Sequence, residues 1–537
     1  MTTDEIPRPR AESEERWSSK IGVILAVAGS AVGLGNFLRF PGQAVENGGG
    51  AFMIPYVIAL VFLGIPIGWA EWTMARYGGH KGFHSSPAVL GAIGGGRTTR
   101  YLGVLGLLVP LVIYMYYVVI ETWCMRYAWD YLTGGIQLGD DPSRFSEGAG
   151  DHFAAVSGVR GTGAHFLERL APWILVTVVN VWFVGRGISK GIERVSRLGM
   201  PLMALCACIV LGRVLTLGTP DPNFPERNVL GGLGYMWNPN LSQLADFKTW
   251  LAAAAQVFFS LSVGFGVIIN YASYLRRKDD VVLSGLTAAS TNETFEVVFG
   301  GLITIPAAFI FLGASGAAGG TFGLGFQTLP VVFEHMGPSG RFFGFVWFLM
   351  LFLAALTSSL SMLQPVVAFV CEALGVSRAR AVAFTSAPAL LGSLWVLYQS
   401  EDLVALDTMD FWVGTLGIFL FATVQIVTFG WIFGVERGIS EAHHGALIRI
   451  PRVYRYIMKY VAPTYLLVVL VGFCFQSLPG YVQAIFDNHV VAWTLAGLAL
   501  VIAGLLLLTR QLEVRLRAAG LDVDGELDEV APPRRTT

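Results

Sequence analysis

Apolar segments of about 20 residues recur along almost the whole chain, and they restrict the fold more than any other feature of the sequence. A helix of that length crosses a hydrocarbon core of about 30 Å. Only 14% of the residues are charged, whereas typical soluble domains carry about 25%. We therefore predict an all-α polytopic membrane protein with about twelve transmembrane helices. The expected spans are 18–44, 50–78, 101–130, 171–186, 199–217, 246–275, 281–312, 341–373, 380–398, 404–434, 455–478 and 488–511.

The loops between the spans predict the orientation of the chain. Lys and Arg concentrate in alternate loops, among them 76–100, 185–198 and 276–278, and the loops between these are acidic or neutral. Because cytoplasmic loops carry the excess of positive charge, we expect cytoplasmic tails at 1–17 and 512–537 and a location in the cell's inner (plasma) membrane. The formal net charge of −1 gives no excess of positive charge that would attract a polyanion such as nucleic acid. The expected surroundings are therefore the lipid bilayer and not nucleic acid, and a homodimer is left open.

Two spans are interrupted by glycine in matching places. The first reads SAVGLGNFLRFP, with Gly33 and Gly35, and the sixth reads FFSLSVGFG, with Gly264 and Gly266. Glycine is common where membrane helices pack closely, but paired breaks in corresponding positions of two halves indicate a transporter binding site. Lipid offers no hydrogen bonds to the freed backbone groups. We therefore predict that helices 1 and 6 are unwound at mid-membrane and line a polar chamber.

Acidic side chains also lie inside the spans. A carboxylate in that position costs at least about 2.5 kcal/mol and is a functional candidate by default. Glu121 lies towards one end of its span, so a structural role is equally compatible with its position. The four candidates are Glu71, Glu121, Glu293 and Glu296.

Long and specific motifs run through the same regions. They include AVGLGNFLRFP, ENGGGAFMIPY, RGISKGIERVSRLGMP, FFSLSVGFG, VLSGLTAASTNE, LTSSLSMLQP and MDFWVGTLG, and they extend from about Trp17 to the twelfth span. With these motifs the chain resembles the neurotransmitter:sodium symporter family, most closely its bacterial leucine transporter type. The resemblance implies two inverted five-helix repeats, 18–217 and 246–434, followed by two extra helices within 455–511. It also implies transport by alternating access and no enzymatic activity.

The resemblance further implies two sodium sites built from oxygen atoms, which suit a small hard cation. The carboxylate of the substrate would complete the first site. Its matching positions are the carbonyl of Ala31 and the side chains of Asn36, Ser260 and Asn292. Those of the second site are the carbonyls of Gly29, Val32 and Ala354 and the hydroxyls of Thr357 and Ser358.

A substrate pocket follows from the same resemblance. Tyr117 would bond the carboxylate of the substrate, and Phe259 would close over it. Amine-carrying relatives have an aspartate at the position of Gly33, so the substrate here is expected to bring its own carboxylate. The apolar members of the pocket predict a neutral, aliphatic α-amino acid. The matching positions are Ala31, Leu34, Gly35, Ile113, Tyr117, Phe259, Ser260, Ser262, Phe265, Ser358 and Met362.

Glu296 stands where chloride-dependent relatives have a serine and bind chloride. A fixed carboxylate beside the first sodium predicts chloride-independent transport, with proton countertransport through Glu296 as a corollary. The other positions that match the chloride site are Tyr56, Gln256, Ser260 and Asn292.

Two gates are also implied. Arg39 and Asp410 are expected to pair across an outer vestibule, directly or through water. Trp17 and Glu372 match the inner gate, but Glu14 stands where the family has an arginine. Arg16 or Arg10 would then have to replace that arginine as the partner of Glu372, which leaves the construction of the inner gate open.

Other functions remain alternatives to this interpretation. They are a sodium-dependent carrier of another small zwitterion, a channel, and a non-transporting sensor relative. A membrane enzyme is disfavoured because the spans contain no histidine-rich metal cluster and no nucleophile–histidine pair. The 5 cysteines lie in or beside apolar segments and suggest neither a disulfide framework nor a zinc site.

Overall fold

The computed structural model describes residues 17–139, 141–163, 165–316, 320–476 and 478–525. Within these ranges the chain is helical, and its β structure is limited to an isolated bridge between Gly49 and Pro239. Ten helices there are long and apolar enough to cross a membrane, and the bent pair described next makes eleven. The predicted all-α polytopic membrane fold is confirmed.

The membrane helices are numbered here in chain order. The first span is the bent pair α1 (Lys20–Ala31) and α2 (Gly35–Glu46), which meet at 46°. A second interrupted segment consists of α7 (Phe247–Leu261) and α8 (Val267–Ser273). The others are α3 (Gly50–His80), α4 (Gly96–Thr133), α5 (Phe166–Gly185), α6 (Ile188–Leu215), α9 (Val281–Ala314), α10 (Gly337–Leu374), α11 (Arg378–Tyr398), α12 (Glu401–Ile432), α13 (Tyr454–Gln476) and α14 (His489–Ala518).

Shorter helices connect the spans. They are Ser86–Leu90, Phe145–Ser157, Val229–Trp237, Leu329–His335, Val435–Ala442 and Leu478–Asp487.

The sixth expected span, 246–275, is not counted among these eleven because it is interrupted. Its two pieces, α7 with 15 residues and α8 with 7, are each shorter than the roughly 20 residues that a crossing requires. Between them Ser262, Gly264 and Gly266 have φ angles of 53°, 79° and 80°. These left-handed conformations cannot continue a right-handed helix. The lower count therefore results from the glycine break itself.

The centre of the molecule is formed by α4 and α10. In their most apolar stretches 94% and 72% of the residues are buried, against 22% in α14. A membrane helix that is buried on all sides packs against protein and not against lipid. The first of these two helices carries Tyr117 and the second carries Ser358, so both provide a firm support for the interrupted segments.

The short helix α8 is fixed by two close backbone contacts. A Cβ atom on Gly79 of α3 would lie 1.9 Å from the carbonyl oxygen of Ser273, and one on Gly266 would lie 2.1 Å from that of Gly106 in α4. Only glycine allows backbones to approach so closely. As a result α8 is held between α3 and α4 at a defined depth.

The chain beyond α14 packs against the start of α4 and the loop that precedes it. The fully buried Arg100 donates to the carbonyl of Val523 at 2.8 Å and contacts the Asp524 carboxylate at 2.5 Å. Lys81 pairs with Asp522 at 3.3 Å. The part of the expected C-terminal tail that the structure describes, up to residue 525, is thus ordered against this loop, and residues 526–537 lie outside the described ranges, as do residues 1–16 of the expected N-terminal tail.

We predict that Gly266→Ala destabilises the protein by about 2–4 kcal/mol, because the new Cβ would require a strained φ angle and would collide with the Gly106 carbonyl. Gly212→Ala in α6 is the matched control, since its Cβ would meet nothing within 4 Å. Thermal unfolding in detergent, followed by tryptophan fluorescence, measures both variants. Equal melting temperatures for Gly266→Ala and the unaltered protein would contradict this conformation of the break.

Candidate functional site

The two interruptions contain side chains that satisfy part of the freed backbone. Helical hydrogen bonding stops after Ala31 and resumes at Gly35. In this gap the Asn36 side-chain oxygen accepts from the amide of Gly33 at 2.9 Å. The hydroxyl of Ser262, in the other gap, donates to the carbonyl of Ser30 at 3.3 Å. The two breaks therefore lie against one another.

The buried Asn36 also reaches α9. Its Nδ2 donates to Oδ1 of Asn292 at 2.9 Å and to Oε2 of Glu296 at 3.3 Å. Because Oδ1 of Asn36 is occupied by the Gly33 amide and Nδ2 faces two acceptors, its amide group has one consistent orientation. Asn292 must then turn its own oxygen towards Asn36.

This orientation of Asn292 brings oxygen atoms together. The atom that faces Asn36 also lies 3.2 Å from the carbonyl oxygen of Ala31 and 3.3 Å from that of Ser260. The Nδ2 of Asn292 lies 2.6 Å from the Ser260 hydroxyl. Reversing the amide would relieve the oxygen contacts, but it would set two NH₂ groups 2.9 Å apart. Oxygen atoms this close, with no hydrogen between them, suit a hard cation among them.

A second set of oxygen atoms lies between α1 and α10. The hydroxyl of Ser358 donates to the carbonyls of Ser30 at 3.1 Å and Gly29 at 3.4 Å. That of Thr357 lies 3.1 Å from the carbonyl of Ala354. Val32 follows the last residue of α1, and its amide donates to the carbonyl of Ala28. The structure thus joins Gly29 to Ser358 and Ala354 to Thr357, and it gives no polar contact of the Val32 carbonyl with either pair.

Five of the predicted substrate-binding residues meet at the first break. The hydroxyl of Tyr117 accepts from the amide of Leu34 at 3.1 Å. A Cβ atom on Gly33 would lie 2.7 Å from the Tyr117 hydroxyl and 2.9 Å from that of Ser358. A Cβ on Gly35 would lie 3.1 Å from the ring of Phe259. Because Gly33 has no side chain, the hydroxyls of Tyr117 and Ser358 can approach the backbone of the break.

The apolar residues predicted for the pocket follow the same helix faces. Ile113 lies one turn before Tyr117 on α4, and Met362 lies one turn after Ser358 on α10, so each shares a face with the hydroxyl near it. Both side chains are buried. The rings of Phe259 and Phe265 stand edge to face with centroids 5.8 Å apart. Ile113, Met362 and Phe265 all belong to the same buried hydrophobic cluster.

A cavity of about 310 Å³ lies next to this pocket and is called the vestibule below. Arg39 and Asp410 both line it, but no ion pair within 4.0 Å joins these two described residues. The guanidinium of Arg39 lies 4.4 Å above the Phe259 ring, and Asp410 accepts from the Tyr116 hydroxyl at 2.7 Å. The lining residues are Leu34, Gly35, Leu38, Arg39, Gln43, Tyr116, Tyr117, Ile120, Phe259, Thr321, Phe322, Leu406, Asp407 and Asp410.

The opposite end of the site is closed by Trp17. Its indole donates to the carbonyl of Tyr271 at 3.0 Å, and the two rings stand edge to face. The next residue, Ser18, donates through its amide to the buried carboxylate of Glu193 at 2.9 Å, and its hydroxyl contacts the same carboxylate. Glu193 was not among the predicted gate residues, although it lies in the motif RGISKGIERVSRLGMP.

No hydrogen bond joins the predicted gate residue Glu372 to Trp17 among the described residues. Glu372 accepts instead from the amide of His84 at 2.5 Å. Burial lowers the pKa of His84 to about 4, so at neutral pH the ring is uncharged, and its Nδ1 lies 2.9 Å from the Ser273 hydroxyl. Glu14, Arg16 and Arg10 lie outside the described residues.

The carboxylate of Glu296 is buried beside the first set of oxygen atoms. It accepts from Gln256 Nε2 at 2.9 Å and from Asn36. Tyr56, which was predicted at the same site, donates to Glu293 at 2.8 Å and also lies within reach of the Glu296 carboxyl group. Glu296 therefore places a carboxyl group one hydrogen bond away from the predicted cation ligand Asn36.

Another acidic residue holds the second break. Glu71 of α3 is buried, and its Oε1 accepts from the amide of Gly264 at 3.1 Å and from Gln425 of α12 at 2.6 Å. The sequence marked Glu71 as a functional candidate but gave no partner for it. In the structure it supplies an acceptor for an amide that helix breaking had freed.

The chain is similar to a known protein family and to several of its members. A family model described as the sodium:neurotransmitter symporter family matches residues 14–140 and 153–514. An uncharacterized sodium-dependent transporter of Methanocaldococcus jannaschii is 29% identical over 465 residues, which cover 85% of this chain and 89% of that protein. The sodium-dependent transporter YhdH of Bacillus subtilis is 32% identical over 355 residues, 66% of this chain and 72% of that one. The crystal structure of MhsT in complex with L-phenylalanine is similar with a TM-score of 0.73 and 27% identity, covering 85% of this chain and 99% of MhsT.

Proposed function

The chain belongs to the sodium:neurotransmitter symporter family, and from that premise we propose that it is a sodium-coupled symporter that imports a neutral, aliphatic α-amino acid by alternating access. The observation that carries this proposal is the approach of the Asn292 side-chain amide to the carbonyls of Ala31 and Ser260, at 3.2 and 3.3 Å. These atoms come from both interrupted segments and from α9. A sodium ion among them would hold the three elements together.

The substrate carboxylate completes the first sodium site in this proposal. Tyr117 and the amide of Leu34 now bond one another, and both are donors that a carboxylate can engage. The Leu34 amide, with the Tyr117 hydroxyl beside it, lies at the start of α2. There the unpaired amides and the helix dipole favour an anion. A sodium ion beside the carboxylate would couple the two bound species directly, because each lowers the electrostatic cost of binding the other.

The second sodium site would use the hydroxyls of Thr357 and Ser358 and the carbonyls at the end of α1. Ser358 already bonds carbonyls of that end. A cation that replaces these hydrogen bonds would tie α1 to the buried helix α10, so sodium would favour the closed packing of the Trp17 end.

The class of substrate follows from Gly33 and from the apolar side chains. No carboxylate stands at Gly33, and a side chain there would meet the hydroxyls of Tyr117 and Ser358. A substrate amine therefore lacks an acidic partner at this position, and the substrate must provide the anion. Ile113, Phe265 and Met362 give the rest of the pocket an apolar character. The relative MhsT was solved with L-phenylalanine, which also belongs to the neutral α-amino acids.

Alternating access is supported by the difference between the two ends of the site. The vestibule reaches Tyr117 and Phe259 from one side, whereas Trp17 is buried against Tyr271 on the other. We take this arrangement as the outward-facing state. The interrupted segments, together with α3 and α9, would rock against the helices around α4 and α10 to open the Trp17 end.

Uptake into proteoliposomes tests the proposed function. With an inward sodium gradient we expect saturable uptake of labelled leucine that is lost in choline medium, and competition by neutral amino acids but not by lysine, glutamate or an amine without a carboxylate. Sodium-dependent binding without uptake would instead identify a sensor, and flux that does not saturate would identify a channel. Competition by charged amino acids alone would refute the proposed substrate class.

Tyr117→Phe should raise the KM for the amino acid about tenfold or more, because a hydrogen bond to a charged group contributes about 1.5–3 kcal/mol. Tyr114→Phe is the matched control, since this tyrosine lies on the same helix and its buried hydroxyl has no hydrogen-bond partner among the described residues. Initial rates of uptake at saturating sodium measure both. If the two variants have the same KM, Tyr117 does not bind the carboxylate.

Glu296→Ser should make uptake depend on chloride, because the substitution removes the negative charge beside the first sodium and an anion must replace it. The comparison is uptake in chloride against uptake in gluconate. Glu293→Ser is the control, since it keeps Glu296 and should remain indifferent to chloride. Uptake by Glu296→Ser that is equal in the two media would show that Glu296 does not take the place of chloride.

A further inference from the structure

A buried network of three side chains lies against α10, on a different face of this helix from the one that meets α1. Asn180 of α5 donates to the Glu121 carboxylate of α4 at 3.0 Å, and its own side-chain oxygen accepts from the Ser359 hydroxyl of α10 at 2.7 Å. None of the three residues has any exposed surface. The network thus joins three membrane helices, and none of its members belongs to the predicted binding sites.

The carboxylate of Glu121 lacks the ion-pair partner that usually offsets the cost of burying an acidic group. No ion pair involves it among the described residues, and its Oε2 has no hydrogen-bond partner there. The ionisable groups around it are Tyr114, Tyr117 and Cys124 of its own helix, none of which is a cation. A carboxyl group buried at this depth is costly, and an alanine or leucine would avoid that cost. The residue is therefore expected to have a function beyond packing.

The network acts on α10 at the residue next to a predicted sodium ligand. Successive residues of an α-helix point about 100° apart, so Ser358 faces α1 while Ser359 faces Asn180. The bond from Ser359 to Asn180 limits rotation of α10 about its axis. Since Ser358 sits on the adjacent position, a displacement of Ser359 would also change the direction of the Ser358 hydroxyl towards the carbonyls of Gly29 and Ser30.

The same network also supports α4. Glu121 lies one turn after Tyr117, on the same face of that helix. Asn180 can hold Ser359 with its oxygen only if its NH₂ group is directed elsewhere, and Glu121 accepts from that group, as does the carbonyl of Val176. Glu121 therefore fixes which end of the Asn180 amide faces Ser359.

We propose that Glu121 is a positioning residue for the second sodium site: through Asn180 and Ser359 it holds the hydroxyl of Ser358 in the direction that a sodium ion requires. The inference rests on the proposed function, because it concerns the sodium step of that transport. Glu121 acts as a hydrogen-bond acceptor in this role, so its charge is not needed. Glutamine can replace it, whereas methionine, of similar size, cannot.

The test compares Glu121→Met and Glu121→Gln in purified protein and in proteoliposomes. Glu121→Met should raise the sodium concentration for half-maximal uptake about tenfold, as expected for loss of one buried hydrogen bond, with less than a twofold change in the KM for the amino acid at saturating sodium. Glu121→Gln should behave as the unaltered protein. Thr122→Val is the control, since the buried Thr122 hydroxyl bonds only the carbonyl of Val118 one turn away.

Ser359→Ala breaks the same link from the other end and provides a test if Glu121→Met does not fold. It should produce the same shift in sodium dependence, and the double variant should be no worse than either single one, because both act through one chain of hydrogen bonds. A lower maximal rate with unchanged sodium dependence in both variants would show that the network is only structural, and it would overturn the inference.

Sodium-induced stabilisation is measured as the rise in melting temperature without any amino acid. It distinguishes a failure of the proposed function from a failure of the positioning role alone. If the unaltered protein shows no such rise and no sodium-driven uptake, the proposed function is refuted. If it responds to sodium and Glu121→Met responds at the same concentrations, only the positioning role is refuted.

Discussion

The orientation of one amide group, that of Asn36, connects the broken backbone to the rest of the site. Its oxygen accepts from the Gly33 amide, which is free only because α1 has ended, and its NH₂ group then faces Asn292 and Glu296. This in turn leaves the oxygen of Asn292 against two carbonyls. The interruption of the helix and the cluster of oxygen atoms are therefore one arrangement, and neither would form without the other.

The remainder of the fold keeps this arrangement in place. The second break is held by Glu71, which supplies an acceptor to Gly264, and by glycine contacts that set α8 between α3 and α4. The most buried helices, α4 and α10, contribute the hydroxyls that reach the first break. Short helix pieces thus lie against long, firmly packed ones. Such a construction allows the broken segments to change position while the surrounding helices stay as they are.

Much of this could be predicted from the sequence, because the signals were local. Two Gly-x-Gly breaks and apolar runs of membrane length are visible in a few consecutive residues, and they led to the all-α fold. The family resemblance of the motifs, in turn, implied Asn36, Ser260 and Asn292 as a group. The sixth expected span, 246–275, is not among the helices of membrane length because its glycines divide it into pieces of 15 and 7 residues. The glycine pair marked the place of this break, but the sequence did not give the lengths of the two pieces.

The contacts that were not predicted join residues far apart in the chain. Ser18 bonds Glu193, and Asn180 bonds Glu121 and Ser359, and these pairs form only when three or more helices have packed. Similarly, the bond between Glu372 and the backbone of the loop at His84 was not predicted. Spacing along the sequence carries no information on such pairs, because it fixes which face of a helix a residue occupies and not which helix lies opposite.

A pair of high-resolution density maps, one from protein prepared in sodium and one from protein in choline, tests the central claim most directly. The account predicts a density peak enclosed by the side-chain oxygens of Asn36 and Asn292 and the carbonyls of Ala31 and Ser260 in the sodium map, and no such peak in choline. The absence of this density peak from both maps would contradict the account. So would an Asn292 amide whose nitrogen faces the two carbonyls in both media.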